Sequence, residues 1–273
     1  MRVHVIQVAY GDDEPVADRV ERVAALVARQ AGADLVVLPE LWGPTGFDYR
    51  SWTRDAEPLD GPTVTAIAKA AREAGVTVHA GSIIERAPDD APPDARGPDG
   101  RGLWNTSVVL TPAGEIAATY RKIHRFGFAG GEPATIEPGE DVVTVPVPVA
   151  GGEPVTVGLA TCYDLRFPEQ FRLLTDAGAS VFVVPAAWPA RRVGHWTLLG
   201  RARAVENQAA VVQCNTAGTH ARVPMGGRSQ VVDALGDVVA EAGDGEEVLV
   251  ADVDVTAVAA WRSQFPVLAD RRL

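Results

Sequence analysis

Three predicted strands of the 273-residue chain each lead into a residue that could take part in catalysis. Glu40 follows "DLVVLP", Lys122 ends "ATYRK", and Cys162 follows "VTVGLAT". In α/β proteins, functional side chains gather where strands end. A carboxylate that accepts the thiol proton, a thiol that attacks carbon and an ammonium that stabilises the resulting oxyanion together suit acyl transfer from an amide or a nitrile.

Local sequence strengthens each assignment. Leu41 and Trp42 flank Glu40, which predicts a desolvated carboxylate that is a better base. Lys122 is one of only two lysines in a chain that otherwise uses arginine, which indicates a role for a compact point charge. Cys162 stands where a strand ends and a helix is about to begin, and helix amide groups favour a thiolate. The second cysteine, inside "AAVVQCN", is predicted to be a structural core residue.

Other chemistries have weaker signals. A histidine could replace the carboxylate as the base, since sequence distance excludes none of the five candidates His4, His79, His124, His195 and His220. The chain has no H-E-x-x-H or C-x-x-C motif, so we expect neither a metal site nor a cofactor. A protein that binds a small ligand or a partner without catalysis is the alternative from another class.

Composition narrows the class of protein. The formal net charge of −11 disfavours a nucleic-acid partner, because phosphate binding needs a basic surface. No stretch approaches 18 continuous apolar residues, so no membrane span is expected. The beginning of the sequence has no signal-peptide pattern, and two distant cysteines give no disulfide framework. These observations favour a cytoplasmic protein.

The elements expected to position these residues alternate along the chain. Apolar runs predict strands at 2–8, 33–39, 76–84, 141–148, 154–161, 180–186, 209–215 and 247–254, with hairpins over 103–122 and 228–242. Helical spacing predicts helices at 15–32, 63–75, 168–177, 195–207 and 255–262. The pattern indicates an α/β fold with mixed sheets. The acidic Pro/Gly-rich segment 85–102 is predicted to be an exposed loop inside one domain spanning 1–273.

The chain resembles the nitrilase superfamily of carbon–nitrogen hydrolases over nearly its whole length. The motifs that carry the resemblance are "LVVLPELW" with Glu40, "YRKIHRF" with Lys122 and "CYDLRFPE" with Cys162. The resemblance implies a four-layer α-β-β-α sandwich, with Glu40 as general base, Lys122 as stabiliser of the oxyanion and Cys162 as nucleophile. It implies an oxyanion contact from the backbone N–H of Tyr163.

The family also has a second glutamate ahead of a Pro-Gly pair. Glu132 in "GGEPATIEPG" is the favoured candidate, and Glu137 is its competitor.

The motifs "CYDLRFPE" and "RARAVENQ" resemble the branch of omega-amidases and deaminated-glutathione amidases. That likeness implies a terminal amide on a small carboxylated substrate, hydrolysed through a thioester. An aliphatic amide, an N-carbamoyl amine and a nitrile stay open as alternatives. Trp188 is expected to contact substrate, and Arg191 and Arg192 either attract its carboxylate or are solvated. Family members usually form homodimers or larger homo-oligomers.

Overall fold

The computed structural model of the protein describes residues 1–128 and 130–272. The strands are β1 Arg2–Gln7, β2 Ala9–Gly11, β3 Leu35–Val37, β4 Thr77–Arg86, β5 Leu103–Leu110, β6 Ile116–Arg121, β7 Thr144–Val147, β8 Val155–Leu159, β9 Val181–Ala186, β10 Ala210–Asn215, β11 Ala217–His220, β12 Val223–Pro224, β13 Gln230–Val232, β14 Val238–Glu241 and β15 Glu247–Asp252. The α-helices are α1 Val16–Ala28, α2 Trp52–Asp55, α3 Pro62–Ala74, α4 Glu132–Thr135, α5 Pro168–Asp176, α6 Val193–Asn207 and α7 Val255–Gln264.

Two six-stranded sheets form the centre of the molecule. The first has the order β15-β1-β3-β4-β5-β6, and the second has the order β14-β13-β10-β9-β8-β7. Each is mixed: β1, β3 and β4 are parallel in the first sheet and β8, β9 and β10 in the second, while the outer pairs are antiparallel. A small third sheet joins β12, β11 and β2.

The two large sheets face each other across a core of short apolar side chains. Valines from both sheets, such as Val5 and Val37 of the first and Val157 and Val183 of the second, pack in that core. Alternate residues of the same strands point outward and are covered by helices, α1 and α3 on the first sheet and α5 and α6 on the second. The result is the four-layer α-β-β-α sandwich that the family resemblance implies.

The covering helices follow from their sequences. Val20, Val23 and Val27 form the buried stripe of α1 at helical spacing. Helix α3 begins with Pro62, whose fixed φ suits the first turn, and it ends at Gly75 in the left-handed region. Both helices pack on the first sheet through these faces.

The predicted loop 85–102 begins too early. Strand β4 continues through Arg86, because Glu85 and Arg86 pair with Trp104 and Leu103 of β5. The remaining segment is mostly exposed and contains one 3-10 turn at Pro93–Arg96.

Candidate active site

The three residues singled out by sequence converge on one cavity. Strands β3 and β6 run in the same direction in the first sheet, so Glu40 and Lys122 follow at the same edge. Cys162 reaches that edge from β8 of the facing sheet. All three side chains line the same pocket.

The ammonium of Lys122 lies between two carboxylates. Its Nζ donates to Glu40 Oε1 at 2.7 Å and to Glu132 Oε1 at 2.8 Å, and all three side chains are buried. Burial alone would lower the pKa of Lys122, but the charges of Glu132 and Glu40 outweigh burial and hold that pKa well above its ordinary value. The lysine is therefore a fixed positive charge within the pocket.

Three contacts orient the carboxylate of Glu40. Besides Lys122, Oε1 accepts the side-chain N–H of Asn105 at 2.9 Å, and Oε2 accepts the backbone N–H of Ala187 at 2.9 Å. Asn105 also donates to Glu132 at 3.2 Å, so it bridges both glutamates. Sequence analysis missed Asn105; its only signal is an amide side chain inside the otherwise apolar start of β5.

The two candidates for the second glutamate have different surroundings. Glu132 opens α4, faces Lys122 and accepts the backbone N–H of Phe126 at 2.5 Å. Burial, partly offset by Lys122, raises the pKa of Glu132. Glu137 instead accepts the backbone N–H groups of Asp99 at 2.8 Å and Arg101 at 2.5 Å. Glu137 therefore holds the acidic segment 85–102 through backbone hydrogen bonds and does not line the pocket.

Cys162 occupies a strained turn. Its φ of +49° lies in the left-handed region, and it begins a 3-10 turn that runs to Arg166. Such strain costs about 1–3 kcal/mol and concentrates at functional sites. Burial, together with the neighbouring Glu40 carboxylate and against Lys122, raises the pKa of the Cys162 thiol well above its ordinary value. Helix amide groups favour a thiolate, as the sequence suggests, but burial and the charge of Glu40 act in the opposite direction and set the direction of this pKa shift.

Tyr163 and Trp188 both line the pocket. Tyr163 is the second residue of the 3-10 turn, where a backbone N–H has no acceptor within the helix. The indole of Trp188 is 2 % exposed and donates to the carbonyl of Arg192 at 2.8 Å. Asn215 fixes the Trp188 backbone by accepting its N–H at 2.6 Å and donating to its carbonyl at 3.2 Å.

Two arginines reach the pocket, and one of them was not predicted. Arg192 and Arg166 are half-buried and line the cavity, whereas Arg191 is exposed and lies outside it. Burial and the positive charges of Arg191 and Arg166 lower the pKa of Arg192. Over residues 1–128 and 130–272, neither pocket arginine forms an ion pair with a carboxylate. An anion in the pocket would relieve this uncompensated charge.

The alternative base and metal chemistries receive no support from side-chain placement. No histidine belongs to the described lining of this pocket. His124 is paired with Asp164, and burial lowers the pKa values of His79 to about 4 and of His220 to about 3. Within the described part of the chain, no group of three or more His, Cys, Asp or Glu side chains is arranged to hold a metal ion.

The second cysteine lies in the core between the large sheets, and its Sγ is 3.3 Å from the carbonyl of Ile6. Both cysteines are free. Among the helices of the described residues, none combines the length and apolar content that crossing a bilayer requires.

Comparison with known proteins identifies the class. The carbon–nitrogen hydrolase family model matches residues 2–263, so the chain belongs to that family. It is a hydrolase of non-peptide carbon–nitrogen bonds within the nitrilase superfamily.

Particular relatives include a 2-oxoglutaramate amidase of Paenarthrobacter nicotinovorans, 44% identical over 99% of this chain and 89% of the relative. An omega-amidase of Homo sapiens is 32% identical over 94% of this chain and 90% of the relative. A crystal structure of a superfamily protein from Xanthomonas campestris, with an arsenic adduct in its active site, superposes with a TM-score of 0.86 at 29% identity. That match covers 100% of this chain and 97% of the other.

Proposed function

We propose that the protein hydrolyses the terminal amide of a short carboxylated substrate and releases ammonia, with a 2-oxo acid amide such as 2-oxoglutaramate as the substrate to test first. The observation that carries the proposal is one pocket that holds a thiol, a carboxylate and an ammonium among its buried residues. Its half-buried part holds two guanidinium groups that form no ion pair with a carboxylate among the described residues. The relatives named as 2-oxoglutaramate amidase and omega-amidase support the same substrate class.

The proposed reaction begins with proton transfer from Cys162 Sγ to Glu40. The sulfur attacks the amide carbon and forms a tetrahedral oxyanion. When that intermediate collapses, the C–N bond breaks and the proton on Glu40 passes to the leaving nitrogen, which departs as ammonia. Water then attacks the thioester while Glu40 takes one of its protons. Return of that proton to sulfur releases the acid and restores the thiol, so the net reaction is amide plus water to acid plus ammonia.

The electrostatics of the pocket suit this sequence. Transfer of a proton from Cys162 to Glu40 leaves the total charge of the pocket unchanged, which matters because Glu40, Lys122 and Glu132 are all buried. The oxyanion would be stabilised by Lys122 and by the backbone N–H of Tyr163. Glu132 would hold the lysine in place through its 2.8 Å contact.

The proposed substrate specificity comes from Arg166 and Arg192. A guanidinium group binds a carboxylate with two parallel hydrogen bonds, and the lack of an ion-pair partner leaves both side chains able to do so. Trp188 lines the same pocket and contacts one of the two arginines: the Arg166 guanidinium lies 4.8 Å from the centre of the indole ring.

Oligomerisation belongs to the same proposal. Three large apolar side chains are exposed on the helices that cover the second sheet: Leu173 of α5 at 53%, and Leu198 and Val205 of α6 at 63% and 53%. We propose that this face joins copies of the chain in a homodimer or larger homo-oligomer, since α6 begins directly after Arg192 of the pocket.

The location and domain organisation are proposed on simpler grounds. Two free thiols suit the reducing conditions of the cytoplasm, which we propose as the location of the protein. The family match over residues 2–263 supports a single hydrolase domain over 1–273.

Ammonia release from a panel of compounds tests the proposal. The panel contains 2-oxoglutaramate, deaminated glutathione, an aliphatic amide, an N-carbamoyl amino acid and a nitrile. Fast release from a carboxylated amide is expected. Release from the nitrile or the carbamoyl compound alone would contradict the substrate class, and no release from any of them would favour a binding protein.

A further inference from the structure

A buried carboxylate two residues after Cys162 holds the turn that carries the nucleophile. Asp164 is fully buried, and its Oδ2 accepts the backbone N–H of Thr161 at 2.8 Å. The Thr161 side chain completes a reciprocal capping box with the backbone of Asp164. This pair of contacts encloses Cys162, whose left-handed backbone conformation needs support from its surroundings.

The same carboxylate also holds the segment that carries Lys122. The hydroxyl of Tyr120 donates to Asp164 Oδ2 at 2.6 Å. The backbone N–H of His124 and its ring Nδ1 lie 2.9 Å and 2.8 Å from Asp164 Oδ1. Tyr120 lies two residues before Lys122 and His124 lies two residues after it. Asp164 therefore forms hydrogen bonds with this segment on both sides of the lysine.

We propose that Asp164 is the positioning residue that fixes Cys162 relative to Lys122. The inference rests on the proposed catalytic roles of those two residues. Cys162 and Lys122 come from different sheets, and the Asp164 contacts join their two segments directly. An error of about 1 Å between reacting groups can cost about 100-fold in rate, so such a connection has kinetic value.

The hydrogen-bond pattern requires a carboxylate at this position. Each oxygen of Asp164 faces two partners, and one partner on each oxygen is a backbone N–H, of Thr161 or of His124, which can only donate. The amide nitrogen of an asparagine would meet N–H or O–H groups on either side and leave buried donors without a partner. Asparagine is therefore close in shape but incompatible with the contacts.

A second layer keeps the donors of Asp164 in place. The Tyr120 hydroxyl accepts Gln170 Nε2 at 2.8 Å and the backbone N–H of Ile123 at 3.2 Å. The His124 ring stacks on Phe167 with 3.7 Å between ring centres. These contacts leave the donors little freedom to follow a displaced acceptor.

Asp164→Asn tests the inference against Glu85→Gln as the matched control. Glu85 is also a buried carboxylate and binds Arg121, the residue before Lys122, but it does not line the pocket. For the folded fraction of each variant, kcat and KM for the amide and the rate at which iodoacetamide alkylates Cys162 are measured. We expect Asp164→Asn to lower kcat and alkylation at least tenfold with KM within about threefold, and Glu85→Gln to stay within about twofold. A folded Asp164→Asn variant with both rates within twofold of Glu85→Gln would overturn the inference.

If Asp164→Asn does not fold, two milder variants of His124 test the positioning role of Asp164. His124→Ala removes one donor, whereas His124→Asn places an N–H at the position of Nδ1. We expect the alanine variant to lose kcat and alkylation rate about fivefold and the asparagine variant to recover most of both. Equal rates in the two variants would overturn the inference. Alkylation needs no amide substrate, so it tests positioning even if the wild-type protein hydrolyses none of the panel.

Discussion

Nζ of Lys122 lies 2.7 Å from Oε1 of Glu40, with both side chains almost fully excluded from water. Glu132 contacts the same ammonium at 2.8 Å, so one positive charge faces two carboxylates. Burial, reinforced by the charge of Glu40, raises the pKa of the Cys162 thiol well above its ordinary value, so the thiol holds its proton at rest. The nucleophile therefore needs a base at the moment of attack, and Glu40 is the base that we propose.

Glu132, at the start of α4, and Glu137, just after its end, should respond differently to loss of charge. Glu132→Gln removes a partner of Lys122, so we expect kcat to fall about 100-fold, a magnitude typical of a lost electrostatic contact in an active site. Glu137→Gln is the matched control, because that carboxylate accepts backbone N–H groups of the acidic loop. It should reduce stability while kcat stays within about threefold. Steady-state kinetics and thermal unfolding measure both; the reverse pattern would exchange the proposed roles.

The pocket arginines should control selectivity for charged substrates. Arg166→Gln and Arg192→Gln should each raise KM for 2-oxoglutaramate about tenfold or more and leave KM for an uncharged aliphatic amide nearly unchanged. Arg191→Gln is the control, since Arg191 is an exposed neighbour outside the pocket. If the two pocket variants raise KM equally for charged and uncharged amides, the arginines do not bind a carboxylate.

Stability should fall in alkaline solution. Burial raises the pKa of Cys214 well above its ordinary value, so the folded state keeps a proton that the unfolded state loses above about pH 8.5. The stabilising contribution is fully present below that pH and is lost as pH rises, by up to about 1.4 kcal/mol per pH unit for one thiol. Urea unfolding from pH 7 to pH 10 measures the slope. Cys214→Ala should have a shallower slope than wild type, and equal slopes would contradict the assignment.

The exposed apolar face of α6 provides a test of assembly. Leu198→Glu places a charge at a position that is 63% exposed, so it should leave the fold intact and reduce the sedimentation coefficient to that of a monomer. Ile116→Glu is the control, because Ile116 of β6 is also a large apolar residue and is 44% exposed; this variant should sediment like wild type. A wild-type protein that is already monomeric would contradict the proposed interface.

Much of this architecture can be predicted from the sequence, because buried helices and strands place apolar residues at regular spacings. Wholly apolar runs such as "LVVLP" mark strands covered on both faces, and Glu40 stands out because it follows such a run. Cys162 stands out at the end of a mainly apolar strand, and Lys122 because lysine is rare in this chain. The family resemblance adds their order. Short elements such as α2 and β12 were not predicted, since one turn or two residues carry no period.

Contacts between segments that are far apart in the chain could not be predicted from the sequence. Asn105 joins Glu40 and Glu132 from positions 65 and 27 residues away. The distinction between Glu132 and Glu137 depends on which way a five-residue segment turns. The pKa of the Cys162 thiol depends on burial and on the Glu40 carboxylate, and local sequence reveals the helix start but not the carboxylate that folding brings beside the thiol.

The most direct test of the central claim is ammonia release from 2-oxoglutaramate by the wild-type protein and by Cys162→Ala, with Cys214→Ala as the control. We predict that wild type and Cys214→Ala release ammonia at comparable rates, and that a folded Cys162→Ala variant releases none above the uncatalysed rate. Substantial release by Cys162→Ala would contradict the thioester mechanism.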